Sequence, residues 1–142
     1  SLLAFKPDKT YDCIVSNPPF FVNSLTSNSS DRTNARHTNS LHFNDILQFS
    51  SKHLSLNGKL SLILPIDQGT LCTINAKKLG LFLTRRCNVF PNPIKEQHRL
   101  LLEFSKLKQN TTENNLIIET KKRHEYSDEY KSLTRDFYII FD

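Results

Sequence analysis

Six β-prone residues, Tyr11-Asp12-Cys13-Ile14-Val15-Ser16, pass without a break into Asn17-Pro18-Pro19-Phe20. This junction constrains the fold more than any other stretch of the chain. Pro18 and Pro19 have fixed φ and no backbone N–H, so a strand must stop there and the turn that follows is stiff. Their carbonyls remain free to accept hydrogen bonds. In open α/β sheets, ligands bind beyond the carboxyl ends of the strands, and this turn is expected at such an end.

The residue types in the turn suit one ligand in particular, a planar amine. Asn17 offers a side-chain carbonyl that, with the backbone carbonyl of Pro18, can hold both protons of an exocyclic NH2. Phe20 supplies a flat face on which an aromatic base stacks. The lone pair of an aryl amine is delocalised into its ring, which makes the nitrogen a poor nucleophile. Two acceptors favour a more tetrahedral nitrogen with its lone pair aimed at a methyl sulfonium. Positioning and electrostatics then supply most of the acceleration, and no strong base is needed before attack. These are the requirements of methyl transfer to adenine N6, with the base flipped out or lying in an unpaired loop. The bland reading of Asn-Pro-Pro-Phe is a rigid turn anchored by one buried ring. Its position directly after Cys13-Ile14-Val15 favours the site.

Length and composition narrow the classes. With 142 residues, 37% of them hydrophobic, the chain suits one globular domain with a modest core. No apolar run reaches the roughly 18–20 residues of a membrane span, and Ser1-Leu2-Leu3-Ala4-Phe5-Lys6 lacks signal-peptide form. Cys13, Cys72 and Cys87 are odd in number and far apart, so they imply neither a disulfide framework nor a zinc site. Cys13 is expected to be a small buried strand residue, and a reducing cytoplasm fits. The net charge of +5 and pI of about 9.2 are compatible with a polyanionic partner. The five histidines are scattered, and no metal site, Walker loop, CxxC pair or Gly-x-Ser-x-Gly elbow is present.

Periodicity then gives alternating strands and helices. Tyr11 to Ser16 reads as a buried parallel strand, and the polar stretch from Asn23 to Asn39 as a mobile loop. Phe43, Ile46, Leu47 and Leu54 follow helical spacing within Leu41 to Leu54, with Ser40 as N-cap. Asn57-Gly58 is expected to close that unit before a second buried strand, Leu60 to Leu64. Asp67 to Leu79 is a weaker helix with Gly80 at C′. Leu81 to Phe90 and His98 to Lys106 read as an antiparallel edge hairpin joined through Pro91-Asn92-Pro93. Asn114 to Thr120 adds a short strand, Tyr126 to Leu133 a short helix, and Phe137 to Phe141 a final apolar segment.

What is missing also informs. The three glycines, Gly58, Gly69 and Gly80, include no Gly-x-Gly between a strand and a helix, the loop that lets a backbone approach a nucleotide-like cofactor. If Asn17 to Phe20 is catalytic, the main cofactor cradle lies elsewhere. The chain is therefore expected to be the carboxyl-terminal portion of a longer single domain, without its upstream cofactor-binding half.

The order YDCIVSNPPFF, NARHTNSLHFNDIL, LSLNGKLSLILP and LFLTRRCNVFPNP…HRLLLEFSK, up to YKSLTRDFYIIF, resembles the class I S-adenosylmethionine-dependent methyltransferases. Within them it most resembles the bacterial tRNA (adenine-N6) methyltransferases that modify a valine tRNA beside its anticodon. The tetrad alone marks amino-methylating enzymes broadly; Ala35-Arg36-His37 and Leu102-Glu103-Phe104 point to the tRNA subgroup. The resemblance implies a Rossmann-like α/β fold represented by the second half of its sheet. It implies S-adenosyl-L-methionine as cofactor and tRNA as partner. Asn17, Pro18, Pro19 and Phe20 take the catalytic positions, with Asn17 also beside the cofactor. Leu2 and Leu3 fall where the family borders the cofactor's adenine.

Several basic residues are candidates for the RNA. Arg32, Arg36 and His37 follow the tetrad, where they either contact phosphates and cap the site or form a solvated loop. Lys121, Lys122 and Arg123, with His124, are the densest positive run. They read as a solvated connection or as an RNA contact contributing salt-dependent, sequence-tolerant affinity. The reading reached is N6 methylation of a tRNA adenine near the anticodon. Its rivals are N5 methylation of a release-factor glutamine, N6-adenine methylation of rRNA or DNA, and a non-catalytic RNA-binding module.

Overall fold

A computed structural model describes residues 2–19 and 43–138. Its centre is a five-stranded mixed sheet of β1 (Tyr11–Ser16), β2 (Leu54–Leu64), β3 (Phe82–Phe90), β4 (Arg99–Ser105) and β5 (Thr112–Ile117), in the spatial order β1-β2-β4-β3-β5. β1 runs parallel to β2, and β5 parallel to β3; β4 lies antiparallel between β2 and β3. Four strands thus point the same way, so β1, β2, β3 and β5 all deliver their carboxyl ends to one edge of the sheet. The expected β3–β4 hairpin is present but not at the edge, which corrects that expectation: β5 pairs parallel with β3 and takes the outer position.

Two helices cover one face. In α1 (Phe43–His53) the buried residues Phe43, Ile46, Leu47 and Ser50 recur at helical spacing. They meet Leu54, Leu60, Leu62 and Leu64 of β2 and Leu100, Leu102 and Phe104 of β4 in one core. The carboxyl end of α1 gives way earlier than expected: Leu54 already pairs with Tyr11 as the first residue of β2. Asn57-Gly58 therefore lies inside a strand and closes no unit, which corrects the sequence-based expectation. The register slips there, from Tyr11 opposite Leu54 to Cys13 opposite Lys59. An irregularity of this kind needs a residue without a side chain where backbones approach, and a Cβ on Gly58 would lie 2.9 Å from the Tyr11 carbonyl oxygen.

Helix α2 (Ile66–Lys78) buries Gly69, Cys72 and Ala76, while Leu71 and Ile74 are exposed. Its contact stripe is made of small residues, which let the helix sit close to β4; Leu100 Cδ1 would be 2.5 Å from a Cβ on Gly69. Gly80 (φ +73°) ends it as expected. Its N–H donates to the Lys77 carbonyl and that of Leu81 to the Ala76 carbonyl, the paired bonds of a Schellman cap. Asn75 Nδ2 donates to Asn44 Oδ1 at 3.0 Å and ties α2 to α1.

The opposite face is only partly covered. Helix α3 (Asp128–Thr134), capped by Ser127 Oγ accepting from the Tyr130 N–H, packs near β5. Beyond it, a groove of about 560 Å³ runs over β2, β4 and β3, lined by Val15, Ile63, Leu101, Glu103 and Leu133 among others. Val15 is 71% exposed. Cys13 lies on the same side of β1, two residues from Val15, and is exposed. The expectation that it is buried is thus corrected: its side of β1 carries no helix among the described residues.

Candidate active site

The Asn17-Pro18-Pro19 turn leaves β1 at the carboxyl edge, immediately after Ser16 pairs with Leu62. Asn17 and Pro19 are exposed and Pro18 is buried. The strand therefore fixes the turn through its backbone ladder and through Pro18, while the amide of Asn17 stays accessible to a ligand. The neighbouring strand ends one step away in Leu64-Pro65, where Gly69 N–H donates to the Pro65 carbonyl at 2.8 Å as α2 begins. A ligand beside Asn17 would thus lie against the start of a helix as well as the end of a parallel strand pair, an arrangement suited to binding.

Phe20, Arg32, Arg36 and His37 lie outside the described residues, as do the predicted loop from Asn23 to Asn39 and the predicted cap at Ser40. Leu2 belongs to a short 3₁₀ turn, Leu2–Ala4, that packs on α1, and its side chain is half-buried against the core. Leu3 belongs to the same turn. Phe5, Tyr11 and His53 gather around the Phe49 ring, with the Phe49–His53 centroids 4.7 Å apart. His53 is thus a packing residue, as its helical position implies.

The basic run joins the same edge of the sheet. β5 ends at Ile117, parallel to β3, so Lys121, Lys122 and Arg123 follow a strand that points the same way as β1. All three are exposed. Arg85 faces solvent, whereas Arg86 is drawn in by Glu113 at 3.5 Å and by Asn88 at 3.0 Å. Glu103 stands on the open face, where it accepts from Thr84 Oγ1 at 2.8 Å and lies 3.8 Å from Lys59 and 3.7 Å from Arg85.

Neither Cys72 nor Cys87 is an activated nucleophile. Burial pushes the Cys72 thiol up to about 12. Cys87 is also raised, first by burial and then by Glu129, against an Asn114 hydrogen bond and Arg85. Among the described residues no group of His, Cys, Asp and Glu is placed to hold a metal. No described helix is long and apolar enough to cross a membrane. The edge offers amide and carbonyl acceptors and positive charge, a set of groups for positioning a neutral amine on an anionic substrate.

The most telling neighbours in sequence are tRNA-modifying enzymes. The chain is 44% identical over 133 residues to the tRNA1(Val) (adenine(37)-N6)-methyltransferase of Trichodesmium erythraeum, covering 94% of this chain and 55% of that one. It is 40% identical over 129 residues to the enzyme of the same name from Bacteroides fragilis, covering 91% and 54%. The corresponding figures for Vibrio campbellii are 37% over 138 residues, 97% and 57%. The chain thus spans little more than half the length of these relatives. No family profile matches it.

Solved structures show the same fold. A predicted O-methyltransferase from Agrobacterium tumefaciens superposes with a TM-score of 0.63 at 20% identity, over 91% of this chain and 53% of that one. A provisionally assigned DNA modification methylase from Thermus thermophilus gives 0.54 at 14% identity, over 94% and 57%. The resemblance to class I methyltransferases, and to the tRNA (adenine-N6) group within them, therefore extends along nearly the whole chain.

Proposed function

We propose that this chain carries the catalytic turn of an S-adenosylmethionine-dependent methyltransferase acting on the N6 amine of a tRNA adenine near the anticodon. The observation that carries the reading is Asn17-Pro18-Pro19 at the carboxyl end of the parallel pair β1–β2, in a chain 44% identical to an enzyme named for that reaction. Asn17 Oδ1 and the Pro18 carbonyl accept the two amine protons, and Phe20 stacks on the base. These acceptors favour a more tetrahedral nitrogen whose lone pair is drawn out of conjugation with the ring, and the surplus proton leaves to water once the N–C bond has formed. The cofactor supplies the methyl sulfonium. The three glycines of this chain form no Gly-x-Gly loop of the kind that lets a backbone approach such a cofactor, so most of its cradle lies elsewhere. The chain is accordingly the carboxyl-terminal portion of one methyltransferase domain, with the upstream half supplying most cofactor contacts. A tRNA substrate places the activity in the cytoplasm.

The test uses the full-length protein, S-adenosylmethionine and unmodified tRNA, with digested nucleosides read by mass spectrometry. N6-methyladenosine in tRNA is the expected product. Methylated release factor in a parallel reaction, with unmodified tRNA untouched, would move the activity to a glutamine amide. Methylated rRNA or DNA alone would move it to another nucleic acid, and no product at all would favour a non-catalytic RNA-binding module.

A further inference from the structure

The turn after β3 and the loop after β5 are bound to each other at the same edge as Asn17. Asn92 Oδ1 accepts from the backbone N–H groups of both Ile94 and Lys95, at 3.1 and 2.9 Å, and Pro91 and Pro93 flank it. This turn holds Ile94 out into solvent, 83% exposed, beside the exposed Lys95. The second loop is anchored to the first: Ile118 N–H donates to the Phe90 carbonyl and Glu119 N–H to the Pro91 carbonyl, both at 2.9 Å. It is closed on itself by Thr120 N–H donating to the Glu125 carbonyl at 2.7 Å and by Glu119 Oε1 accepting from the His124 N–H at 3.1 Å. His124 takes a left-handed φ of 65° within it, a conformation non-glycine residues seldom adopt.

Beneath both loops sits Asn88, 9% exposed, with its amide fully engaged. Its Nδ2 donates to Glu113 Oε1 and Asn115 Oδ1 of β5, and its Oδ1 accepts from Arg86 Nε and from Gln97 Nε2, the last in the β3–β4 connection. A single buried amide thus ties the β3–β4 connection to β5, the strand that leads into the second loop. Rigid loops that display cations lose little entropy when they bind, which is the setting in which surface charge yields affinity.

We propose that Ile94, Lys95, Lys121, Lys122 and Arg123 form one preorganised rim that grips the RNA backbone several nucleotides from the base held at Asn17. The proposal rests on the tRNA reading given above. Glu96, Glu119 and Glu125 share these loops, with Glu119 accepting from the His124 N–H; four cations against three carboxylates leave the rim with a net charge of +1. The strand order puts three and four inter-strand steps between β1 and the two loops, roughly 14 and 19 Å at about 4.8 Å per step. At about 3.4 Å per nucleotide along one strand, that is on the order of four to six nucleotides. Such contacts fix the register of the RNA on the enzyme, while the turn at Asn17 chooses the base. Ile94 adds an apolar surface between the cations for a ribose or an unstacked base.

The test measures binding and turnover of an unmodified tRNA1(Val) transcript by the full-length protein at several KCl concentrations. Lys121→Ala/Lys122→Ala/Arg123→Ala should lower the slope of log Kd against log salt by about 0.7–0.9 for each phosphate the protein no longer neutralises. KM for tRNA should rise at least about tenfold, with the KM for S-adenosylmethionine and kcat at saturating tRNA unchanged. Lys95→Ala should lower the slope by the value for a single phosphate. Ile94→Ser should weaken binding severalfold with no change of slope. All five side chains are exposed, so equal melting temperatures will show the variants folded. Unchanged slopes and KM in the triple variant, while the unmodified protein still methylates tRNA, would overturn the rim alone. Failure of the unmodified protein to act on tRNA would overturn the underlying reading instead.

Discussion

At the scale of single residues, the cysteines show how position, more than residue type, sets chemistry. Cys13 and Cys72 are both in regular elements, yet one is exposed and the other wholly buried against the sheet. The unfolded Cys72 thiol ionises near its ordinary 9.0, whereas burial holds the folded thiol protonated to about 12. Between those values the folded state binds more protons than the unfolded one. Stability therefore falls as pH rises through that window, and this group contributes its full stabilisation below 9. Cys72→Ala should make the decline between about pH 9 and pH 11 shallower, measured as urea midpoints across that range. Identical slopes in the two proteins would contradict the burial of the thiol. Neither Asn17 nor Pro18 needs ionisation for its role, which agrees with a reaction run on hydrogen-bond acceptors.

At the scale of elements, the sequence is most legible where side chains repeat with the period of the structure they build. β1, α1, the β3–β4 hairpin and the Gly80 cap follow directly from apolar spacing and turn chemistry. Legibility fails where backbone geometry decides. Gly58 looks like a terminator, and it is instead the one residue that lets β2 pass the Tyr11 carbonyl during the register slip. α2 reads as a weak helix because its buried stripe is Gly69, Cys72 and Ala76, while the apolar Leu71 and Ile74 face outward. Gly58→Ala places a Cβ 2.8 Å from Leu54 Cγ and 2.9 Å from a backbone oxygen, so it should cost about 1–3 kcal/mol in denaturant unfolding. Gly80→Ala meets no atom within 4 Å and should cost only about 1 kcal/mol, for its φ of +73°. A Gly58→Ala variant as stable as the parent would contradict the close approach. In the candidate site, the Asn17-Pro18-Pro19 turn is legible as a turn because prolines after a strand leave few alternatives. The shared rim is not, because it depends on β5 pairing parallel with β3, and no local periodicity encodes which strand a segment chooses.

At the scale of the whole molecule, one face of the sheet is closed by α1 and α2 while, among the described residues, the other is open over β1, β2 and β4. Val15 and Ile63 line that opening, and β1 forms an outer strand of the described sheet. Apolar faces and outer strands of this kind promote association. The 142-residue chain by itself should therefore self-associate in sedimentation velocity, and Val15→Lys/Ile63→Lys should shift it toward monomer. A monodisperse monomer that melts cooperatively would contradict this expectation. The same layout places Asn17 and the basic loops on one edge, so the proposed base capture and backbone grip would share a single surface.

The central claim is that the Asn17 amide holds the reacting amine. The most direct measurement compares single-turnover methyl transfer to unmodified tRNA by the full-length protein and its Asn17→Ala variant. The variant should lose about 10²–10³-fold in rate, the cost of removing one preorganised polar group at a reacting centre. The melting temperature should stay within a few degrees of the parent, since Asn17 is exposed. A variant that transfers methyl groups at the parental rate would contradict the account, because the rate would then not depend on the Asn17 amide.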